Sequence, residues 1–525
     1  MRFFNTAGPV RPNDHYCLPP LERLNLSEVL TLIDQQKYFV LHAPRQTGKT
    51  SCLLTLMDYL NRQGRYKCLY VNVETAQAAR EDVFRGIKAV LAALSSNARD
   101  TLNDDYIQKN WKTIFDDYGP ESAFKEILSL WSNQVSTPTV LMMDEIDALI
   151  GDTLISVLRQ LRAGYINRPG RFPQCVILCG VRDVRDYRIH SDKEKAIITG
   201  NSAFNIKAES LRLGDLTREE INALYGQHTA DTGQTFTPEF MELAWEYTCG
   251  QPWIVNALGY EACFRLKEGK DRRNPITGNM LIQAKENLIL RRETHLDQLT
   301  DKLQEDRVRR VIGPMLEGRL LTQSFQRDDV SYVVDLGLIR QERNGEIRLA
   351  NRLYQEIIPR ELVWDIQSGM TEQTLWYVRK DGRLDMKKLL SSFQEFFREH
   401  SEHWIERFDY KEAGPQLLIQ AFLQRIVNSG GRIEREYGLG RMRTDLLVIW
   451  PVKNQRMVIE LKILYKSLDK TLEQGLMQTW EYMDRCRADE GHLVIFDRSP
   501  QKSWEEKIYV QQKDYQGHVI TVWGM

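Results

Sequence analysis

Apolar residues come in short runs through the first part of the chain. KYFVLHA from Lys37, KCLYVNV from Lys67, TVLMMD from Thr139 and CVILCG from Cys175 read as buried strands. A further strand is expected near FNIKAESLRL, from Phe204. Stretches of helical period lie between these runs, and the alternation predicts an α/β sheet. After Leu216 the strand signal stops. Thr217 to Glu220 has the residues of a capping box and predicts a helix start. Helical pattern then continues to about Gln298, broken at Gly250-Gln251-Pro252. Between about Arg307 and Leu362 the order is helix, turn, helix, then a hairpin about Asn344-Gly345. A helical connector follows, and the last part of the chain returns to mixed α and β. The expected divisions are an α/β core over 1–215, a helical lid over 216–300, and a helix-plus-hairpin module over 301–365. A connector over 366–404 and a second α/β unit over 405–525 complete the chain.

Length agrees with this division. The chain has 525 residues, against a soft guide of ~150 residues per domain. Its formal net charge is −1, so any attraction to nucleic acid must come from local basic surface. The eight cysteines show no paired C-x-x-C spacing, and the nine histidines form no ligand-spaced cluster. Reduced, mostly buried thiols are expected, with no zinc site. MRFFNTAGPV lacks a basic-then-apolar signal pattern, and no apolar run approaches the ~20 residues of a membrane span. A cytoplasmic protein without a membrane partner is the expectation.

HAPRQTGKTS, from His42 to Ser51, is nearly the phosphate loop G-x-x-x-x-G-K-[S/T], with Ala43 at the first glycine position. Its context is a strand before and an apolar helix after, as phosphate binding by backbone N–H groups at a helix N-terminus requires. The expected nucleotide contacts run through Ala43, Pro44, Arg45, Gln46, Thr47, Gly48, Lys49, Thr50 and Ser51. Lys49 would hold β/γ-phosphate oxygens, Thr50 would bind Mg²⁺, and Ser51 is a candidate for the α-phosphate. TVLMMDEID supplies a second half: Asp144 at a strand end to hold Mg²⁺, and Glu145 to polarise the attacking water. Arg182 ends the CVILCG strand and is a candidate for the γ-phosphate, with Arg185 the other. Gln251 and Pro252 are read either as a proline-started helix or as a lid contact to the base.

Together, the Asp144-Glu145 pair, the strand-end Arg182, the G-Q-P insert and a following winged helix resemble the STAND branch of AAA-like P-loop ATPases over about residues 1–365. The resemblance implies a nucleotide, ATP, between an α/β core and a helical lid. It also implies a nucleotide-dependent domain arrangement or homo-oligomeric assembly. The N-terminal segment would run over the base, with Tyr16 or Pro19 as contacts. The second helix of the winged helix, around DDVSYVVDLGLI, begins acidic and turns apolar. That favours a packing module over a DNA-reading helix.

Near the C-terminus, GRMRTDLLVIWPVKNQRMVIELKILYK reads as two strands joined near Lys453-Asn454. Alternation puts Val458, Glu460 and Lys462 on one face, and folding about that turn brings Asp445 roughly opposite Lys462. Asp445 and Glu460, with the Leu461 carbonyl, form a hard oxygen set for Mg²⁺ or Mn²⁺. Lys462 would orient a water or offset phosphate charge. On the next helix Gln478 and Tyr482 share a face, with Gln474 one turn back. These features resemble the RecB-like branch of the PD-(D/E)XK nucleases over about 405–525, which implies metal-dependent phosphodiester cleavage, usually of DNA, with RNA open. An acidic residue common on the preceding helix is replaced by Gln420, while Glu412, Glu434 and Glu436 lie nearby in sequence. Arg432, Arg435, Arg441 and Arg443 precede Asp445 and suit contacts to a phosphate backbone. The whole reads as an ATP-controlled nuclease suited to defence against foreign DNA, or as a signalling ATPase carrying an inactive nuclease fold.

Overall fold

A computed structural model describes residues 1–183, 188–191, 196–199, 204–291, 301–316, 327–342, 347–362, 377–407, 415, 418–420, 422–423, 431–438, 443–464, 467–499 and 501–525. Two compact units emerge. One comprises Met1–Arg291 with Asp335–Gly337, the other Arg292–Val334 with Leu338–Met525.

In the first unit two short strands, β1 (Phe3–Phe4) and β2 (His15–Tyr16), pair in parallel. Helix α1 (Leu26–Asp34) then leads into the central sheet, built from β3 (Tyr38–His42), β4 (Lys67–Asn72), β5 (Thr139–Asp144), β6 (Cys175–Gly180) and β9 (Lys207–Arg212). Every predicted core strand is present. The backbone of β7 (Arg188–Ser191) and β8 (Ala196–Thr199) forms a separate hairpin between β6 and β9. The sheet is five-stranded and parallel, in the order β4-β5-β6-β3-β9. β6 therefore lies between the phosphate-loop strand β3 and the Asp144 strand β5, and its C-terminal end opens between theirs.

Helices cover both faces, which is why β3, β4, β5 and β6 are largely apolar rather than alternating, while the edge strand β9 is polar and partly exposed. α2 (Lys49–Gln63) packs on one face, with Leu53, Leu56 and Leu60 buried beside Phe39 and Leu41. On the other lie α3 (Val83–Leu102), α4 (Tyr106–Tyr118), α5 (Ala123–Gln134) and α6 (Gly151–Gly164), around Trp131 and Phe124.

The helical region expected to serve as a lid begins at α7 (Arg218–Thr232), opened by the predicted capping box between Thr217 and Glu220. α8 (Pro238–Thr248), α9 (Pro252–Tyr260) and α10 (Gly278–Leu290) follow. The break at Gly250-Gln251-Pro252 is a cap: Gln251 precedes α9, its side-chain oxygen accepts the Ile254 N–H at 2.7 Å, and Pro252 starts the helix.

The second unit holds α11 (Asp306–Leu316), α12 (Arg327–Asp335, whose last residue belongs to the first unit), a pair β10 (Ile339–Gln341) with β11 (Ile347–Leu349), and α13 (Arg352–Leu362). β10 and β11 are antiparallel; the expected turn residues Asn344 and Gly345 lie outside the described residues. After α14 (Met386–Arg407) comes a mixed six-stranded sheet of β12 (Arg432–Gly438), β13 (Arg443–Trp450), β14 (Gln455–Ile463), β15 (Glu490–Phe496), β16 (Tyr509–Tyr515) and β17 (His518–Gly524). The order is β12-β13-β14-β15-β17-β16. α15 (Leu468–Cys486) packs on it, with Tyr482 and Leu476 buried against Val458 and Leu493.

Candidate functional site

The phosphate loop connects β3 to the N-terminus of α2. Gly48 caps the helix at φ +95°, a conformation that costs a residue with a Cβ. Gln46 is also left-handed, at φ +58°, but Ala43 is absent from the positive-φ positions of the described chain. Alanine at the first loop position is thereby explained: the bend is made at Gln46 and Gly48. Ala43 is fully buried, and its N–H donates to the Gly180 carbonyl at 3.3 Å. Arg45 and Gln46 are exposed, while Thr47 is buried and its hydroxyl donates to the Pro44 carbonyl at 2.9 Å.

The Lys49 ammonium is folded back across the loop, donating to the carbonyls of Ala43 (2.8 Å) and Pro44 (2.9 Å). An ammonium has three donors, so these contacts leave one for a phosphate oxygen. The Thr50 hydroxyl donates to Asp144 Oδ2 at 2.7 Å, joining the two halves that the sequence places 94 positions apart. The Tyr70 hydroxyl, from β4, donates to the same oxygen at 2.9 Å. Burial and the Asp144 charge both push the Tyr70 phenol upward, so it stays protonated and donating.

Glu145 follows at φ +57°, held where the chain turns out of β5. Burial first, then the neighbouring Asp144 charge, raises its pKa, with Lys49 opposing. Such a carboxylate is a better proton acceptor than a free one. Arg182 is mostly buried, and its Nε lies 3.8 Å from Asp335 of the same unit. Arg185 lies outside the described residues. His42, at the end of β3, is pushed down to about 4 by burial, although Asp183 opposes this, and is neutral at physiological pH.

Beside the loop is a cavity bounded by Gln46, Gly48 and Ser51 on the core side and by Pro252, Trp253 and Asn256 of α9 on the lid side. Residues 5–8 and 16–18 of the N-terminal segment close it. Of the expected base contacts, Tyr16 and Pro252 line this cavity; Leu18 and Pro20 stand there in place of Pro19. The Gln251 side-chain oxygen serves the helix cap, while its Nε2 is buried without a hydrogen-bond partner among the described residues. The Ser51 hydroxyl accepts the Val10 N–H at 3.1 Å. Trp253 Nε1 donates to the Thr6 carbonyl at 2.9 Å, so the N-terminal segment is bonded to both core and lid.

The sequence did not single out Tyr70 or Arg23. Arg23 Nη1 donates to the Thr47 carbonyl at 2.5 Å and Nη2 to the Gly214 carbonyl at 2.7 Å. Tyr70 is paired with Met142, two positions before Asp144, and reaches the carboxylate only through the completed sheet; neither it nor Arg23 had a signal in the sequence.

In the second unit Asp445 is the cross-strand partner of Glu460, where folding about Lys453-Asn454 had placed it opposite Lys462. The correction comes from the turn. Residues 451–454 form the loop and Trp450 pairs with Gln455, because Pro451 has no N–H for the ladder. The two-residue shift keeps Asp445 in the same alternation, so it and Glu460 form one cross-strand row, which continues to Glu436 on β12. Glu460 is fully buried and ion-paired with Lys462. Leu461, 3% exposed, faces away from this row by alternation. On α15, Gln478 is half-buried and Tyr482 sits in the core between helix and sheet. Gln420 is 2% exposed. The side chains of Asp445, Glu434, Glu436, Arg432, Arg435 and Arg443, and all of Glu412 and Arg441, lie outside what is described.

No curated protein matches the sequence. Among solved structures, the Walker-type ATPase of Pyrococcus abyssi is similar at 14% identity, over 68% of this chain and 99% of that one, with a TM-score of 0.46. Cdc6p from Pyrobaculum aerophilum is similar at 14% identity, over 69% and 97%, with a TM-score of 0.35. The Thermotoga maritima RuvB Holliday junction branch migration motor follows at 13% identity, over 65% and 93%, with a TM-score of 0.33. A family model described as AAA-like domain matches residues 21–357, more than half of the chain. That span contains the phosphate loop, the Asp144 strand and the helices α7 to α10, and the chain belongs to the AAA-like domain family.

Proposed function

We propose that this chain binds and hydrolyses ATP in its first unit, and that the nucleotide state governs a metal-dependent nuclease in its C-terminal part. The observation that carries the first half is the contact between Thr50 and Asp144 beside a lysine folded over the loop. Thr50 and Asp144 present the oxygens that would hold Mg²⁺, which when bound neutralises charge on the β and γ phosphates. Lys49 binds phosphate oxygens, Glu145 takes the proton of the attacking water, and Arg182 answers charge at the γ-phosphate. Lys49→Ala is expected to lower the ATP hydrolysis rate by at least about 100-fold, the scale of losing one charge-stabilising donor. Glu145→Gln is expected to lower it by about 100-fold or more while ATP still binds. Hydrolysis undiminished in both variants would overturn the reading.

The nuclease half is supported by the row of Asp445 and Glu460 and by the burial of Glu460 beside Lys462. A fully buried carboxylate is costly unless it is paired or binds a cation. Asp445, Glu460 and the Leu461 carbonyl would hold Mg²⁺ or Mn²⁺, which lowers the pKa of a bound water. Gln478 and Tyr482 would position the substrate strand, with DNA the expected substrate and RNA the alternative. A nuclease held off until a nucleotide switch turns suits cytoplasmic defence against foreign DNA, and assembly of like subunits suits an AAA-like core. The alternative, a signalling ATPase whose nuclease-like fold only binds, is favoured by the uncharged Gln420 at the position of a family carboxylate.

A further inference from the structure

The phosphate loop is braced by an arginine that belongs to neither nucleotide motif and that lines the cavity beside the loop. Arg23 lies just before α1, well upstream of the loop. Its guanidinium donates through Nη1 to the Thr47 carbonyl and through Nη2 to the Gly214 carbonyl. A Cβ added at Gly48 would stand 2.8 Å from Nη1, so Arg23 fills the space on that side of the glycine. Gly48 is thus required twice, by its left-handed backbone and by the arginine beside it.

The geometry of a trans peptide gives this contact a consequence. The C=O of one residue and the N–H of the next point in opposite directions across the planar unit. A Thr47 carbonyl turned toward Arg23 therefore turns the Gly48 N–H away from it, into the loop where phosphate is cradled. Unbraced, this peptide can rotate, because glycine accepts many backbone conformations. A rotated peptide would present a carbonyl oxygen to the phosphate and repel it. The second donor ties the same guanidinium to Gly214, in the segment between β9 and the capping box that opens the lid.

We infer that Arg23 is a positioning residue for phosphate binding: it fixes the Thr47–Gly48 peptide with its N–H facing the β-phosphate and couples that peptide to the chain entering the lid. This rests on the proposal that the loop binds ATP. Arginine suits the task because its planar fork reaches two carbonyls at once, which a lysine ammonium on one stem does less well.

The test is equilibrium binding of ATP, ADP and adenosine to the full-length chain, as wild type, Arg23→Ala, Arg23→Lys and Lys49→Ala. Positioning of a β-phosphate donor predicts that Arg23→Ala weakens ATP and ADP alike, by about tenfold, the scale of one charge-assisted hydrogen bond. Adenosine affinity stays within about twofold, and Arg23→Lys recovers part of the loss. Equal losses for all three ligands would mean a merely structural role and overturn the inference, as would unchanged affinities. A loss for ATP far larger than for ADP would mean direct contact with the γ-phosphate and overturn it too. If wild type binds neither ATP nor ADP, the nucleotide proposal itself fails, and that outcome is distinct from a wild type that binds both and is indifferent to Arg23. Should Arg23→Ala not fold, the same comparison of ATP, ADP and adenosine on Arg23→Lys decides the matter.

Discussion

Glu145 joins a strand-end position, a left-handed backbone and a raised pKa in a single residue. A non-glycine residue at positive φ is uncommon, and such strain persists where the surroundings over-determine it. Here β5 ends at Asp144, and the backbone turns at once so that two adjacent carboxyls leave it in different directions. Burial and the Asp144 charge raise the Glu145 pKa. The sign for activity follows directly. A base works when deprotonated, so hydrolysis is full above the raised pKa and is lost as pH falls through it. The acid limb of the kcat profile for ATP is therefore expected above the ~4.3 of an ordinary glutamate. In Glu145→Gln that limb should vanish, leaving a low rate without it. A wild-type limb at or below the ordinary value would remove Glu145 from the base role.

At the scale of elements, the lid depends on a close approach of two backbones. Gly250 adopts φ +84°, and a Cβ there would stand 1.9 Å from the Leu216 carbonyl oxygen. The two segments are also bonded, Leu216 N–H to Gly250 carbonyl at 2.8 Å. Gly64, at the end of α2, has a similar φ of +70° but nothing within 4 Å of an added Cβ. Both substitutions by alanine incur the left-handed penalty, about 1–2 kcal/mol, and only one incurs the clash. Denaturant unfolding should therefore show Gly250→Ala destabilised by clearly more than Gly64→Ala; equal losses would mean the lid shifts to make room. Much at this scale was legible. The apolar runs marked the core strands, because a parallel sheet buried on both faces leaves no polar alternation. Thr217 and Glu220 marked a helix start through local bonding. Less legible were features fixed by distant partners or by turns. The paired strands β1 and β2 are two residues each, too short for any period to show. The β13–β14 register was missed because it depends on how many residues the loop takes, and Pro451 decides that. Arg23 and Tyr70 act through atoms brought near only by the completed sheet.

Across the whole molecule, the two proposed sets of chemistry stand on two different sheets. Lys49 and Thr50 open α2 and Asp144 ends β5, all at the C-terminal edge of a parallel sheet, where loops can cradle a phosphate. Asp445, Glu460 and Lys462 lie within strands of a mixed sheet, where alternation sets a rigid row. Glu460 and Lys462 of the second set are ion-paired with each other. The sheet already buries Val458, Leu493, Ile495 and Tyr482 in one apolar cluster, and a buried ion pair adds little stability over apolar residues of similar size. The pair of buried Glu460 with Lys462 is therefore where the nuclease proposal is best tested. The decisive measurement is cleavage of supercoiled plasmid with Mg²⁺ or Mn²⁺, with and without ATP. Glu460→Gln is expected to lose cleavage by about 100-fold or more, the scale on which removing a catalytic electrostatic group acts, while its ATP hydrolysis stays at the wild-type rate. Lys49→Ala is expected to alter cleavage without touching either carboxylate of the row. Cleavage that Glu460→Gln leaves intact would come from elsewhere. A wild type that hydrolyses ATP but cuts neither plasmid nor RNA under any of these conditions would favour a signalling ATPase with a binding-only fold.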